Sequence, residues 1–331
     1  MQRTTETPPR SSPWDSLAPH EAPPAPDERS PLQRIRGRLM RLVPRPLVRR
    51  MAAPYIAGET RRQAIELVSR LHAAGGLCST VDVLGEDVRD QAESRALLEE
   101  YSAILDDLGR SRHANISIKL SALGQSLDED LCAANLETLL SHAARYDQFV
   151  RFDMEDHTTT DSTLGFYRRF VGRFPRIGVV LQSRLHRTAR DVEELSRLKP
   201  NVRLCLGIYR EPVSIAVQDK PSMKRRLLEL LEMMWNNGQY VAIATHDESL
   251  IHQALAMGER MGRNPADFEV QMLLGVPRDA IQRELLARDI KVRLYVPYGR
   301  HWYNYCLRRL DNNPEMARMV LLNLFRRGAG Y

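Results

Sequence analysis

The chain has 331 residues, of which 43% are hydrophobic and 27% charged, with 48 Lys and Arg against 42 Asp and Glu for a formal charge of +6. That length allows one large domain or two ordinary ones, and that composition excludes wholesale disorder and fibrous repeats. No apolar run approaches the ~20 residues that cross a bilayer, and the N-terminus lacks the apolar core of a signal peptide, so a cytoplasmic protein is expected.

Residues 1–32 carry eight prolines among Ser, Thr, Glu and Asp. Such a stretch buries too little apolar surface to offset its chain entropy, and disorder is expected. From Arg34 to Arg50 there are seven arginines and no acid, interleaved with Leu, Ile and Val and broken by Pro44 and Pro46. This stretch reads either as a short packing segment at a domain edge or as a basic arm for anionic lipid or nucleic acid. Residues 1–50 are thus set apart as a Pro/Arg-rich segment, disordered or loosely packed, and 51–331 as the folded domain.

From Gly58 onward the pattern changes. Residues 60–72 place Ala64, Ile65, Val68 and Leu71 at helical spacing. Eight β-rich runs follow: LCSTVDVLG (77–85), ISIKLSALG (116–124), VRFDMED (150–156), IGVVLQ (177–182), VRLCLGIY (202–209), YVAIATHD (240–247), FEVQMLLG (268–275) and KVRLYVPYG (291–299). Amphipathic stretches at 92–109, 128–145, 189–197, 221–236, 249–262 and 278–288 lie between them. Strands alternating with helices imply parallel pairing through crossovers. Eight such units in this length predict a (β/α)8 TIM-type barrel, α/β in class. The competing open doubly wound sheet would often carry a glycine-rich first turn, whereas the first turn here is LGEDVRD, and no P-loop is present.

A barrel places its chemistry at the C-terminal ends of its strands. There the runs deliver Asp82 and Glu86, Lys119, Asp153 and Glu155, Gln182, Arg203 and Tyr209, Thr245 with His246 and Asp247, Glu269 and Gln271, and Tyr295. One polar residue in an apolar run is ordinarily a satisfied core group. A ring of them points to a functional mouth, because each unpaired buried group costs a few kcal/mol. Three chemistries could use the ring. A metal hydrolase would draw on His246, Asp247, Asp153, Glu155 and His157, but the H-x-H spacing is absent and no metal is expected. A phosphate site would want more glycine than LLGV and PYG supply. An organic cofactor could be held by Arg, Lys, Gln, Thr and His donors. The four cysteines, Cys78, Cys132, Cys205 and Cys306, form no CxxC pair and read as small buried hydrophobes.

After the eighth run comes YGRHWYNYCLRRLDNNPEM (298–316). A helix is expected from near Trp302 through Leu310, lying over the barrel mouth. It sets Tyr305 and Arg309 on one face, with Arg308 beside them. An Arg pair next to a Tyr is either a solvated surface pair or a carboxylate clamp with an apolar wall.

Taken in order, VDVLGE (81–86), ISIKLSALG, FDMED (152–156), LQS (181–183), RLCLGIYREP (203–212), ATHD (244–247), FEVQML (268–273), and YVPYG with YNYCLRRL make the chain similar to the proline dehydrogenases. These are flavin-dependent (β/α)8 barrels of proline catabolism, and the resemblance covers about residues 55–325. Nothing resembles the aldehyde dehydrogenase half or the DNA-binding domain of the bifunctional members. The resemblance implies FAD across the mouth, L-proline between flavin and last helix, and hydride transfer to flavin N5 to give Δ1-pyrroline-5-carboxylate. Electrons would then pass to a membrane quinone, with peripheral contact at the inner face of the membrane.

By motif, the resemblance implies that Arg308 and Arg309 bind the proline carboxylate, with Lys119 adding positive charge. Tyr305, Tyr295 and Leu273 would wall the substrate ring. Tyr209 would pack near the flavin, Asp153 would sit among the basic groups, and Glu86 would pair with an arginine as a gate. Gln182 would hydrogen-bond the flavin ring, and Arg203 would stabilise reduced flavin near N5. Cys205, Gly207 and Leu273 would line the cofactor. Thr245 and His246 would hold its ribityl, phosphate or adenosine side, with Lys220 reaching the phosphates. Two departures bear on substrate range: Leu206-Gly207-Ile208-Tyr209 stands where many members have Lys-Gly-Ala-Tyr, and Asn312 replaces a Glu after the Arg pair. Oxidation of hydroxyproline or another cyclic amine is the neighbouring alternative. A nucleic-acid-binding protein and a catalytically inactive scaffold are alternatives of other classes. The first has no recognisable DNA-reading motif, so no nucleic-acid partner is expected.

Overall fold

Strands buried on both faces need helices outside and packed side chains inside. The computed structural model describes residues 48–50, 53–85, 88–303, 305 and 306. In it the eight runs close into a parallel barrel in chain order. The strands are β1 (Cys78–Val83), β2 (Ala114–Ile118), β3 (Val150–Phe152), β4 (Ile177–Gln182), β5 (Asn201–Cys205), β6 (Tyr240–Ala244), β7 (Phe268–Leu273) and β8 (Lys291–Tyr298). β8 returns to β1 with Val81 opposite Val296, so the sheet has no free edge. The TIM-type barrel expected from the alternation is the fold observed.

Helix α1 (Arg61–Gly75) precedes β1, and α2 (Gln91–Leu108), α3 (Glu129–Arg145), α4 (Thr160–Val171), α5 (Thr188–Leu195), α6 (Lys220–Asn236), α7 (Glu248–Arg260) and α8 (Asp279–Ala287) separate the strands. Five of them begin with a polar residue capping their free N–H groups. Thr60 and Gln63 form a capping box on α1. The carboxylates of Asp90, Asp128, Asp219 and Asp247 accept from Glu93, Leu131, Ser222 and Leu250 N–H groups at 2.9, 2.7, 2.8 and 3.0 Å. Helix α4 was not singled out by periodicity. Its run of threonines at 158–160 has weak helix propensity, yet Leu164, Phe166, Tyr167 and Phe170 bury its inner face.

The β-rich runs overshoot the strands. The pairing ends at Ile118, Phe152 and Cys205, so Lys119, Asp153 and Tyr209 lie just beyond, where the backbone turns out of the barrel. At the same end of the barrel, Trp302 and Cys306 pack with Val48, Ile56 and Leu84 in a small apolar cluster. Leu84 follows β1 directly, so the start of the segment after β8 is pinned to the rim beside β1. Residues 1–47, and with them nearly all of the Pro/Arg-rich segment, lie outside the described residues.

One strand residue is dictated by a neighbour's charge. Arg151 on β3 is buried and donates to Val179 O at 3.1 Å, Asn201 O at 2.6 Å and Asn201 Oδ1 at 2.5 Å. Its guanidinium occupies the place where a side chain at position 178 would stand. A Cβ on Gly178 would lie 2.6 Å from Arg151 Nη1 and 2.5 Å from Asn201 O. Gly178→Ala is therefore expected to destabilise the barrel by roughly 1–3 kcal/mol, as overpacking does. The check is a lower urea midpoint at unchanged m-value.

Candidate active site

Side chains on non-neighbouring strands can touch only across the barrel interior, and the polar residues of the ring do so. Arg203 on β5 donates through Nη1 to Asp153 Oδ1 after β3 at 2.6 Å. Its Nε donates to Gln271 Oε1 on β7 at 2.6 Å. Tyr295 on β8 donates to Asp153 Oδ2 at 2.7 Å, and Ser117 on β2 donates to Asp153 Oδ1 at 2.5 Å. The Arg203 guanidinium lies 5.2 Å from the centre of the Tyr295 ring. Lys119, after β2, pairs with Asp82 on β1 at 3.0 Å. Deeper in the barrel, Arg293 donates to Glu269 at 2.9 Å.

Burial sorts these charges. It pushes the Asp82 carboxyl up, and Lys119 only partly offsets that, so Asp82 stays above the usual carboxylate range. Asp153 is equally buried, but the charges of Arg203 and Lys119 and the hydrogen bonds from Ser117 and Tyr295 outweigh desolvation and hold it below that range. Burial pulls Lys119 down, yet Asp82 overrides it and keeps the ammonium protonated. Burial, then Asp153, raises the Tyr295 phenol well above its ordinary value. Desolvation, then Arg203, pulls Arg151 down to about 9. Four cations, Lys119, Arg151, Arg203 and Arg293, face three carboxylates, Asp82, Asp153 and Glu269, so the interior favours an anion.

Around this floor stand groups with unused hydrogen-bonding capacity. Gln182 donates to Glu155 O at 2.8 Å, which leaves its Oε1 as an acceptor. Ser121 holds the Glu155 carboxylate at 2.8 Å. Among the described residues, Gln182 Oε1, Arg203 Nη2 and Asp82 Oδ2 are buried side-chain atoms without a hydrogen-bond partner. Gly207 sits beside Gln182 at φ +99°, where a Cβ would lie 2.5 Å from Gln182 Oε1. Glycine is thus required both for the left-handed backbone and for clearance. Arg184 donates to Tyr209 O and so ties the loop after β5 to the loop after β4.

The sequence-predicted residues fall into three groups. Lys119, Asp153, Arg203 and Tyr295 meet on the floor, and Leu273 pairs in register with Tyr295. Gln182, Gly207 and Tyr209 gather on the β4–β5 side of the rim. Thr245 and His246 stand after β6, where Leu273 N–H donates to His246 Nε2 at 3.3 Å. Cys205 is a half-buried thiol, and burial raises it to about 11. Lys220 stands exposed at the start of α6, away from the floor. Tyr305 packs against the Trp302 cluster. Glu86, Arg308, Arg309 and Asn312 lie outside the described residues.

Asp82, Glu269 and Gln271 are named from the sequence only as members of the polar ring, with no role, and Glu155 has a role only as a ligand in the metal alternative. Ser117 and Arg184 carried no signal, since a Ser and an Arg in such runs are unremarkable until their partners are known. Of the departures, Leu206 packs against the core where the resemblance would place a lysine, and Ile208 stands 62% exposed on the rim.

A model of the proline dehydrogenase family matches residues 64–208 and 218–320. Proline dehydrogenase 1 of Bacillus subtilis (strain 168) is 34% identical over 277 residues, covering 83% of this chain and 91% of that protein. The proline dehydrogenase of Deinococcus radiodurans is 36% identical over 286 residues, covering 83% and 90%. Among solved structures, proline utilization A (PutA) from Bdellovibrio bacteriovorus, inactivated by N-propargylglycine, superposes with a TM-score of 0.71 at 20% identity, over 78% of this chain and 32% of that one. PutA from Corynebacterium freiburgense gives 0.69 at 18% identity, over 89% and 34%. The chain spans about a third of those longer structures, and at such identity the likeness speaks to fold alone.

Two stability predictions follow from the buried charges. Lys119→Met strands the Asp82 carboxylate and is expected to cost about 3–5 kcal/mol, most of it recovered in Lys119→Met/Asp82→Asn; chemical unfolding of the two variants checks this. Glu269 drops from an ordinary 4.5 to about 2, because Arg293 and its hydrogen bonds outweigh burial. A depressed carboxylate contributes stability that is present above its unfolded value and lost as pH falls through the folded one. Glu269→Gln should therefore flatten the loss of stability between pH 4.5 and 2, a term on the order of 3 kcal/mol. Unfolding curves across that range read it directly.

Proposed function

The chain belongs to the proline dehydrogenase family, and from that premise we propose that it oxidises L-proline to Δ1-pyrroline-5-carboxylate with a bound FAD and passes the electrons to a quinone. It is an oxidoreductase of that family. The observation that carries the reading further is the pairing of a cationic floor with unsatisfied polar atoms of opposite kind. Arg203 Nη2 is an unused donor, and Gln182 Oε1 an unused acceptor. A flavin ring presents acceptors and an N–H along its polar edge, so these residues fit it. Gly207 gives such a planar ring the clearance that any side chain would take away.

When bound, the flavin supplies the two-electron acceptor that no side chain can provide. The chain's own residues bind and orient. Lys119, kept cationic by Asp82, and Arg203, paired with Asp153, provide the positive floor toward which the proline carboxylate is drawn. Tyr295 stays protonated and is held rigidly by Asp153, so its ring forms a fixed apolar wall for the substrate ring. A cationic surround also disfavours the protonated substrate amine, which promotes loss of the nitrogen proton that oxidation requires. Glu86, Arg308, Arg309 and Tyr305 complete the substrate side in this reading, the Arg pair as a carboxylate clamp. Thr245, His246 and Lys220 hold the cofactor's polar tail.

Leu206 replaces a cation with a core contact, which alters charge near the cofactor without loosening the loop. Among the described residues no helix is long and apolar enough to cross a membrane. For transfer to a membrane quinone, the basic segment 33–50 is the proposed contact.

The test is a visible spectrum of the purified protein before and after anaerobic addition of L-proline. Flavin bands that bleach with proline are expected. Bands that persist would refute the substrate, and a protein that stays colourless after reconstitution with FAD would refute the cofactor. Arg308→Ala and Arg309→Ala are each expected to raise the KM for proline roughly ten- to hundredfold, the loss of one charge-assisted clamp, while the flavin spectrum is retained.

A further inference from the structure

Beneath the floor a hydrogen-bonded chain crosses the barrel. Arg293 is anchored through Nη1 to Ser79 O at 2.8 Å and through Nε to Glu269 Oε1 at 2.9 Å. Gln271 Nε2 donates to the same Glu269 oxygen at 2.5 Å. Arg203 Nε then donates to Gln271 Oε1 at 2.6 Å. Tyr240 donates to the other Glu269 oxygen at 3.2 Å. Glu269 and Gln271 are two apart on β7 and so share its inner face. The residues that stand in register between them and β5 are Ala242 and Ala244 on β6. Small side chains there leave the path between Gln271 and Arg203 open.

We propose that Glu269 and Gln271 are positioning residues for Arg203. A carboxylate only accepts, so Glu269 forces the Gln271 amide to present its nitrogen downward and its oxygen to Arg203. The reversed amide would set oxygen against carboxylate and NH2 against guanidinium in a dry interior, two repulsions at once. With Nε taken by Gln271 and Nη1 by Asp153, the guanidinium is pinned on two edges, and Nη2 is the nitrogen left over. The donor offered at the site is therefore aimed by two buried residues that act through Arg203. This rests on the reading of Arg203 as the residue that stabilises reduced flavin.

The experiment compares Glu269→Gln, Gln271→Met and Arg203→Met in the FAD-loaded protein, with the midpoint potential of the bound flavin as readout and thermal melting as the check on folding. Gln271→Met removes the amide without changing charge, and it carries the test alone if Glu269→Gln does not fold. Each variant is expected to shift the oxidised-to-reduced ratio in the same direction as Arg203→Met, by about tenfold, or roughly 30 mV for two electrons. In the Arg203→Met background neither second change should add to the shift. Should Arg203→Met move the potential while Gln271→Met leaves it in place, the relay is wrong and the reading of Arg203 stands. Additive shifts would also overturn the relay, since they mean a distant charge acting directly. If Arg203→Met itself changes nothing, the reading of Arg203 fails and the relay falls with it.

Discussion

A closed parallel barrel shuts its interior off from bulk water, and this one buries Lys119, Arg151, Arg203, Arg293, Asp82, Asp153 and Glu269. Each charge must then find its counter-charge within the barrel, because an unpaired one costs several kcal/mol. Several partners come from strands that are not neighbours: Arg203 with Asp153, Tyr295 with Asp153, and Arg203 with Gln271. Those contacts tie β3, β5, β7 and β8 together across the middle. They also demand local concessions in sequence, such as Gly178 beside Arg151 and the alanines of β6 beneath Arg203.

The same pairing prepares the chemistry. Asp82 and Asp153 are both buried carboxylates near Lys119, yet their environments push them in opposite directions. Asp153 collects a guanidinium and two hydroxyl donors, whereas Asp82, among the described residues, is paired with the Lys119 ammonium. Splitting two like groups in this way is how a fold gives them separate duties. Asp153 acts as a fixed anchor for Arg203 and Tyr295. Asp82 keeps Lys119 in place and charged. With one more cation than carboxylates, the interior is disposed toward an anionic ligand before any ligand arrives.

The rim is arranged differently. Its loops are held by contacts from one loop to another: Arg184 with Tyr209 O, His157 with Glu211, and Gln182 with Glu155 O. The two departures among the described residues, Leu206 and Ile208, fall here and not on the floor. Leu206 is accommodated by packing inward, and Ile208 by pointing outward. A barrel tolerates such changes because its loops vary while its strands keep the register.

The sequence by itself determined the fold class and most of the floor. Eight short apolar runs separated by amphipathic stretches permit few arrangements, and polar residues near the ends of such runs have only the mouth to occupy. Lys119, Asp153, Arg203 and Tyr295 were legible for that reason, and the resemblance gave them roles. What the tertiary structure alone decided is who partners whom. Ser117, Glu269 and Gln271 gain their significance from contacts across the interior that join positions 36 and 68 residues apart, and no local pattern encodes such pairs. Helix α4 was decided in the same way, since burial of Leu164, Phe166 and Phe170 against the barrel outweighs the weak propensity of its threonine-rich start. Propensity and periodicity act over a few residues. Charge pairing in a dry interior acts across the whole barrel, and it becomes visible only once the strands are closed.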